Sequence, residues 1–137
     1  MSGISETSVS LRFFGNGLDP EELTNKLGHE PTIGVKMGGT WHTKMGVAKI
    51  ARTGSWRLQT PRLSPGDLGK QIRLLLDQLT GDLAIWNDFT RRFRADVFTG
   101  LFLADQNEGI SVSPHTLLAM GSRGLKLDLD IYSPETE

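Results

Sequence analysis

Two stretches of the chain repeat one layout, and this repetition restricts the fold more than any other feature. In the first, residues 8–14 alternate. Val9, Leu11 and Phe13 take one side, and Ser8, Ser10 and Arg12 take the other. A period of two marks a half-buried strand. Gly15-Asn16-Gly17 breaks it. Asp19-Pro20-Glu21-Glu22 then reads as a helix start: Asp19 can cap, Pro20 fits the first helical position, and the two acids favour the positive helix end. Leu23 and Leu27 lie four apart, and Gly28 stops the helix. In the second stretch, residues 95–104 put Val97, Leu101 and Leu103 on one face and Phe98 and Phe102 on the other, as expected of a central strand. Ser113-Pro114 opens a helix carrying Leu117, Leu118 and Met120, which Gly121 and Gly124 end. Residues 125–132 alternate again, with Leu125, Leu127, Leu129 and Ile131 predicted inward. An alternating strand needs cover on its apolar side, and a helix stripe supplies it. The layout predicts an α+β domain of two β-α-β halves, ferredoxin-like in outline, with a mainly antiparallel sheet.

The residues between the halves are less regular. Residues 28–54 hold six glycines, at 28, 34, 38, 39, 46 and 54, which argues for loops around short strands. Residues 31–36 read as one strand. Residues 37–46 read as a turn-rich excursion. Residues 47–59 read as a further strand, with Gly54 at a bulge or a close approach. From Ser64-Pro65-Gly66-Asp67 onward, Leu68, Ile72, Leu75, Leu76 and Leu79 recur at helical spacing. After Thr80-Gly81-Asp82, so do Leu83, Trp86, Phe89 and Phe93. This extra helical segment can join the layer of the other helices or cross to the second sheet face. Residues 1–7 read as a flexible leader and 133–137 as a polar tail, leaving one domain over 8–132.

Length and composition narrow the function classes. A chain of 137 residues is one domain's worth. It has no cysteine, which removes disulfides, thiolate metal sites and cysteine nucleophiles. No apolar run approaches the ~20 residues of a membrane helix. The first eleven residues carry no Lys or Arg and no apolar core of a secretory signal. These features suit a cytoplasmic protein. Net charge is −1, but residues 1–35 hold 2 basic and 5 acidic side chains, 36–94 hold 11 and 4, and 95–137 hold 2 and 7. A basic middle between acidic ends can meet an anionic partner or pair with its own termini after folding.

Few residue patterns carry chemistry. His29, His42 and His115 are far apart and have no metal-ligand spacing, so no metal site is expected. Gly15-Asn16-Gly17 and Gly38-Gly39 lack the endings of phosphate-binding loops, and no nucleophile elbow occurs, so no cofactor or catalytic residue is expected. Asp128 and Asp130 share a strand face about 7 Å apart. They are read as solvated acids, with Arg12 or Arg57 as cross-strand partners. Phe98 and Phe102, opposite the helices, outline an RNA-type platform. The same face carries Asp128 and Asp130, which argues against nucleic acid and for burial of the two rings by the 66–93 helices or by a second subunit. Trp41, in a glycine-rich loop, is the best contact candidate of the three tryptophans. The interaction candidates are therefore Arg12, Trp41, Arg57, Phe98, Phe102, Asp128, Asp130 and Tyr132.

Several short motifs fall in a familiar order. They are Leu18-Asp19-Pro20-Glu21-Glu22-Leu23, Leu27-Gly28, Pro31-Thr32, Gly54-Ser55-Trp56, Ser113-Pro114, Leu117-Leu118, Gly124-Leu125 and Asp130-Ile131-Tyr132. Over residues 8 to 132 this order resembles the bacterial family named domain of unknown function 4279. The resemblance implies a small stand-alone bacterial domain and transfers no activity. The expectation is a non-enzymatic protein that binds another macromolecule, such as an immunity-type partner of a protein. A small-ligand regulatory domain is the alternative, and RNA binding comes third. An apolar sheet face left uncovered would favour a homodimer.

Overall fold

The computed structural model describes residues 3–134. Strand β1 (Glu6–Gly15) is the spine of the domain. It pairs antiparallel with β5 (Gly54–Gln59) on one side and with β6 (Arg94–Phe102) on the other. β2 (Ile33–Val35) extends the sheet beyond β5 in antiparallel register. β7 (Lys126–Tyr132) extends it beyond β6 in parallel register. The sheet is therefore mixed, with strand order β2-β5-β1-β6-β7. β3 (Thr40–His42) and β4 (Ala48–Ile50) form a separate antiparallel hairpin.

The helices are α1 (Pro20–Leu27), α2 (Leu68–Asp77), α3 (Leu83–Arg92) and α4 (Pro114–Ser122). Each begins on a side-chain cap. Asp19, Asp67, Asp82 and Ser113 accept from backbone N–H groups of Glu21, Lys70, Ala84 and Thr116. Such caps typically contribute about 1 kcal/mol each. Gly28 ends α1 in the left-handed region, at φ 85°, where a Cβ would be strained.

All four helices lie on one sheet face. Val9, Leu11 and Phe13 of β1 share a single core with Leu23, Leu27, Ile72, Leu75, Trp86, Phe89 and Met120. Phe13 sits at its centre, with ring centroids 6.0 Å from Trp56 and 6.1 Å from Phe89, both edge-on. The two core indoles and the buried Gln71 amide there are satisfied. The Trp56 indole donates to Thr24 Oγ1 and the Trp86 indole to the Thr80 carbonyl. Gln71 donates to the carbonyls of Thr7 and Pro61 and accepts from the Thr7 hydroxyl. The helical segment over 66–93 thus joins the same layer as α1 and α4. It leaves the other face of the sheet without helical cover.

Four expectations need correction. The leader is shorter than residues 1–7, since Ile4 is buried in the core and β1 starts at Glu6; Met1 and Ser2 lie outside the described residues. Residues 47–59 form two strands in different sheets rather than one, and Ile50 points to solvent. Gly54 is a close approach: a Cβ there would lie 2.7 Å from the Gly15 carbonyl oxygen. Leu129 and Ile131 are exposed, because β7 is the edge strand and α4 does not extend over them. Leu117 and Leu118 are exposed as well, and α4 buries Thr116 and Met120 instead. Of the polar tail, Ser133 and Pro134 are irregular, and 135–137 lie outside the described residues. Among the described residues no helix is long and apolar enough to cross a membrane.

Candidate functional site

The even-numbered residues of β1 point away from the helices, and their cross-strand neighbours build an open surface. Arg12 faces Arg57 of β5 on one side and Asp96 of β6 on the other. Ser10 faces Gln59 and Phe98, and Phe14 faces Ser55 and Arg94. In β6 and β7, Phe98 lies beside Asp128, and Phe102 beside Tyr132. All eight interaction candidates therefore share this face, but they fall into two groups.

One group surrounds Phe14. Three guanidinium groups, from Arg12, Arg57 and Arg94, lie 5.2, 5.8 and 5.2 Å from its ring centroid. Arg57 also lies 4.9 Å from the Trp41 ring, and Arg12 lies 4.1 Å from the Phe98 ring. Arg12 is neutralised by a two-pronged pair with Asp96, Nε to Oδ1 and Nη2 to Oδ2, each 2.8 Å. Burial alone would push the Asp96 carboxyl up. The hydrogen bonds and charge of Arg12, the contact with Asp128 and the charge of Lys126 together outweigh that and leave it below the ordinary carboxylate value. Arg57 has no such partner among the described residues. Burial, then the like charge of Arg12, pushes its pKa down from the usual guanidinium value.

The other group lies at the β7 edge. Phe102 and Tyr132 stack with centroids 4.8 Å apart, and the Arg62 guanidinium covers Phe102 at 4.1 Å. The Tyr132 hydroxyl donates to Asp130 at 2.6 Å, which holds its pKa above the usual phenol value. Asp128 pairs with Lys126 at 3.6 Å. The cross-strand pairing expected for Asp128 and Asp130 with Arg12 or Arg57 does not form, because Asp96 is nearer and takes Arg12. Nor are Phe98 and Phe102 covered by the helices. Guanidinium groups lie over their rings instead.

The β3–β4 hairpin gives the first group its shape. A cleft of about 480 Å³ opens between the hairpin and the sheet, lined by Trp41, Lys49 and Arg52 and floored by Phe14, Ser55 and Arg57. A second cleft of about 240 Å³ lies between Lys44, in the hairpin turn, and Ser8, Ser10, Gln59 and Phe98. Neither lining contains an Asp or Glu. Four buried side-chain polar atoms among the described residues lack a hydrogen-bond partner. Three are on this face: Ser10 Oγ, Ser55 Oγ and Arg57 Nε. Buried polar groups are almost always satisfied in folded proteins, so three unpartnered ones on one face set it apart.

Phe14, Ser10, Ser55, Arg94, Lys44, Lys49 and Arg52 were not among the interaction candidates read from sequence. Strand parity could have found the first four, since each shares a face with a candidate on its own or a neighbouring strand. Nothing local marks Lys44, Lys49 or Arg52. The histidines stay apart: His29 Nδ1 lies 2.6 Å from the Glu30 carbonyl, His42 is in β3, and His115 is in α4. Among the described residues no three His, Asp or Glu side chains gather as a metal site would need.

A family model described as Domain of unknown function (DUF4279) matches residues 5–134. No curated protein and no solved structure matches the chain.

Proposed function

The chain belongs to the family described as Domain of unknown function (DUF4279), and we propose that it is a non-catalytic binding protein whose open sheet face docks an acidic protein partner. The observation that carries this reading is the arginine–aromatic cluster around Phe14, flanked by Trp41 and two clefts without carboxylates. Arg and Trp are the residue types that concentrate binding energy at protein interfaces. A surface rich in cationic donors suits a partner rich in acceptors. An immunity-type role, masking an acidic face of another protein, is one form of this activity.

Two other readings draw on the same face. Single-stranded nucleic acid stacks its bases on exposed rings. Here Phe98 lies under Arg12, while Phe102 lies under Arg62 and against Tyr132, so ring area for stacking is limited. A small-ligand regulatory role is favoured by the cleft volume, which is within the range of about 300–1,000 Å³ usual for ligand pockets. It predicts a thermal shift with individual metabolites. The ferredoxin-like outline belongs to the same proposal: the first half is a split β-α-β unit, as in that architecture, whereas the parallel β6–β7 pair departs from it.

The test is comparative retention. Immobilised wild type, a Trp41→Ala/Phe98→Ala variant and a Leu118→Ser variant are challenged with soluble proteins of the native host. A protein held by wild type and by Leu118→Ser, but lost from the double variant, supports docking on the open face. Equal retention by all three, or none, overturns it.

A further inference from the structure

Resting on that docking reading, we infer that the cleft beneath the β3–β4 hairpin is a carboxylate site, in which Arg57 Nε and Ser55 Oγ receive an acidic side chain of the partner. Arg57 and Ser55 are two residues apart on β5, so both side chains leave the same face of the strand. An arginine nitrogen can only donate, and a serine hydroxyl can donate. Both atoms are buried and unpartnered, so the group that completes them is an acceptor.

The surroundings select a charged acceptor. Arg57 lies between the rings of Trp41 and Phe14, which strip water from it without supplying a counter-charge. Among the described residues the one buried carboxylate on this face, Asp96, is committed to Arg12. Lys49 and Arg52 line the same cleft and add positive charge. A planar carboxylate matches the guanidinium fork, and the partly dehydrated setting strengthens the pair.

The second cleft continues the site. Arg57 is opposite Arg12, and Gln59, two residues on, is opposite Ser10. Ser10 Oγ is also buried and unpartnered, and Lys44 lines the same second cleft. Two residues of strand span about 7 Å, the same spacing as alternate side chains in an extended peptide. The ligand class is therefore an extended segment with acidic residues at i and i+2.

Trp41 provides the readout, because Trp56 and Trp86 are fully buried. The probe is a capped seven-residue peptide with glutamate at every second position and glycine between, titrated at low salt while Trp41 fluorescence is followed. The wild type gives a saturable change, and a glutamine-for-glutamate peptide gives none. Arg57→Gln weakens binding about tenfold or more, Arg52→Gln on the cleft rim about threefold, and Arg73→Gln on helix α2 has no effect. If Arg57→Gln does not fold, judged by near-UV circular dichroism, Ser55→Ala and Arg52→Gln carry the test. Three results overturn the site: no saturable signal, equal weakening by the cleft variants and Arg73→Gln, or an oligothymidylate that outcompetes the peptide. The last assigns the face to nucleic acid. If the peptide fails while host-protein retention still depends on Trp41 and Phe98, the cleft assignment falls and the docking reading stands. If peptide binding depends on Arg57 but retention ignores the face, the docking reading falls.

Discussion

Helices α1 and α4 begin with the same grammar and bury different residues. Each opens on a capping side chain followed by proline, Asp19-Pro20 and Ser113-Pro114, and each has a leucine three residues after that proline. Leu23 is 0% exposed and Leu117 is 50% exposed. The difference comes from what lies beside each helix. α1 packs on β5, inserted between β1 and β2, and reaches the aromatic core through Thr24 and Trp56. α4 joins β6 to β7, neighbours in the sheet, and sits at an edge with one flank open. There it presents Thr116 and Met120 inward, rotating the leucines out. A matching local pattern thus predicts a helix in both places. The buried face depends on the neighbours.

The sharpest way to break this comparison is to truncate both leucines. Leu23→Ala leaves a cavity in a sealed core and is expected to cost about 3 kcal/mol in urea unfolding. Leu117→Ala is expected to cost under about 0.5 kcal/mol. Equal losses would show that α4 packs as tightly as α1.

The next effect concerns charge. Arg12→Met strands Asp96 between β1 and β6 and is expected to cost roughly 2 kcal/mol, below the figure for fully buried pairs because Arg12 is a quarter exposed. Asp128→Asn at the β7 edge is expected to cost under about 0.5 kcal/mol. The pH dependence follows from the lowered Asp96 pKa. A carboxyl held below its unfolded value stabilises above the ordinary carboxylate range, and that stabilisation fades as pH falls through the folded value. Thermal melts of Asp96→Asn should therefore lose part of the acid-side slope seen in the wild type.

The helix-ending glycines give a third, smaller contrast. Gly28 and Gly124 both have positive φ, 85° and 75°. A Cβ at Gly28 meets open space, whereas one at Gly124 would lie 2.7 Å from Thr90 Oγ1. Gly28→Ala should cost about 1 kcal/mol and Gly124→Ala about 2 kcal/mol. Smallest of all, Ile131→Lys on the exposed edge should change stability by less than about 0.5 kcal/mol.

Legibility followed range. Asp19, Pro20, Gly28, Ser113 and Pro114 act on backbone groups a few residues away, and each does what its position predicts. The parity of Arg12, Phe98, Asp128 and Tyr132 was readable too, so the candidates fall on one face. Their division into two groups was not readable, because Asp96, absent from the candidates, captures Arg12. The hairpin over Arg57 was also hidden. Six glycines announced loops between 28 and 54 without saying that Trp41 would lie over the sheet.

Capping, alternation and left-handed glycines are local, and the amino-acid order by itself determined their consequences within one turn or one strand: where helices start, which strand side is apolar, where the chain turns. Tertiary structure alone decided that β5 enters between β1 and β2, that α2 and α3 join α1 and α4, and that the β7 edge stays uncovered. Those choices depend on which distant surfaces exclude water together, and burial is a property of the assembled layers rather than of any segment. The open cationic face exists because every helix was drawn to the other side.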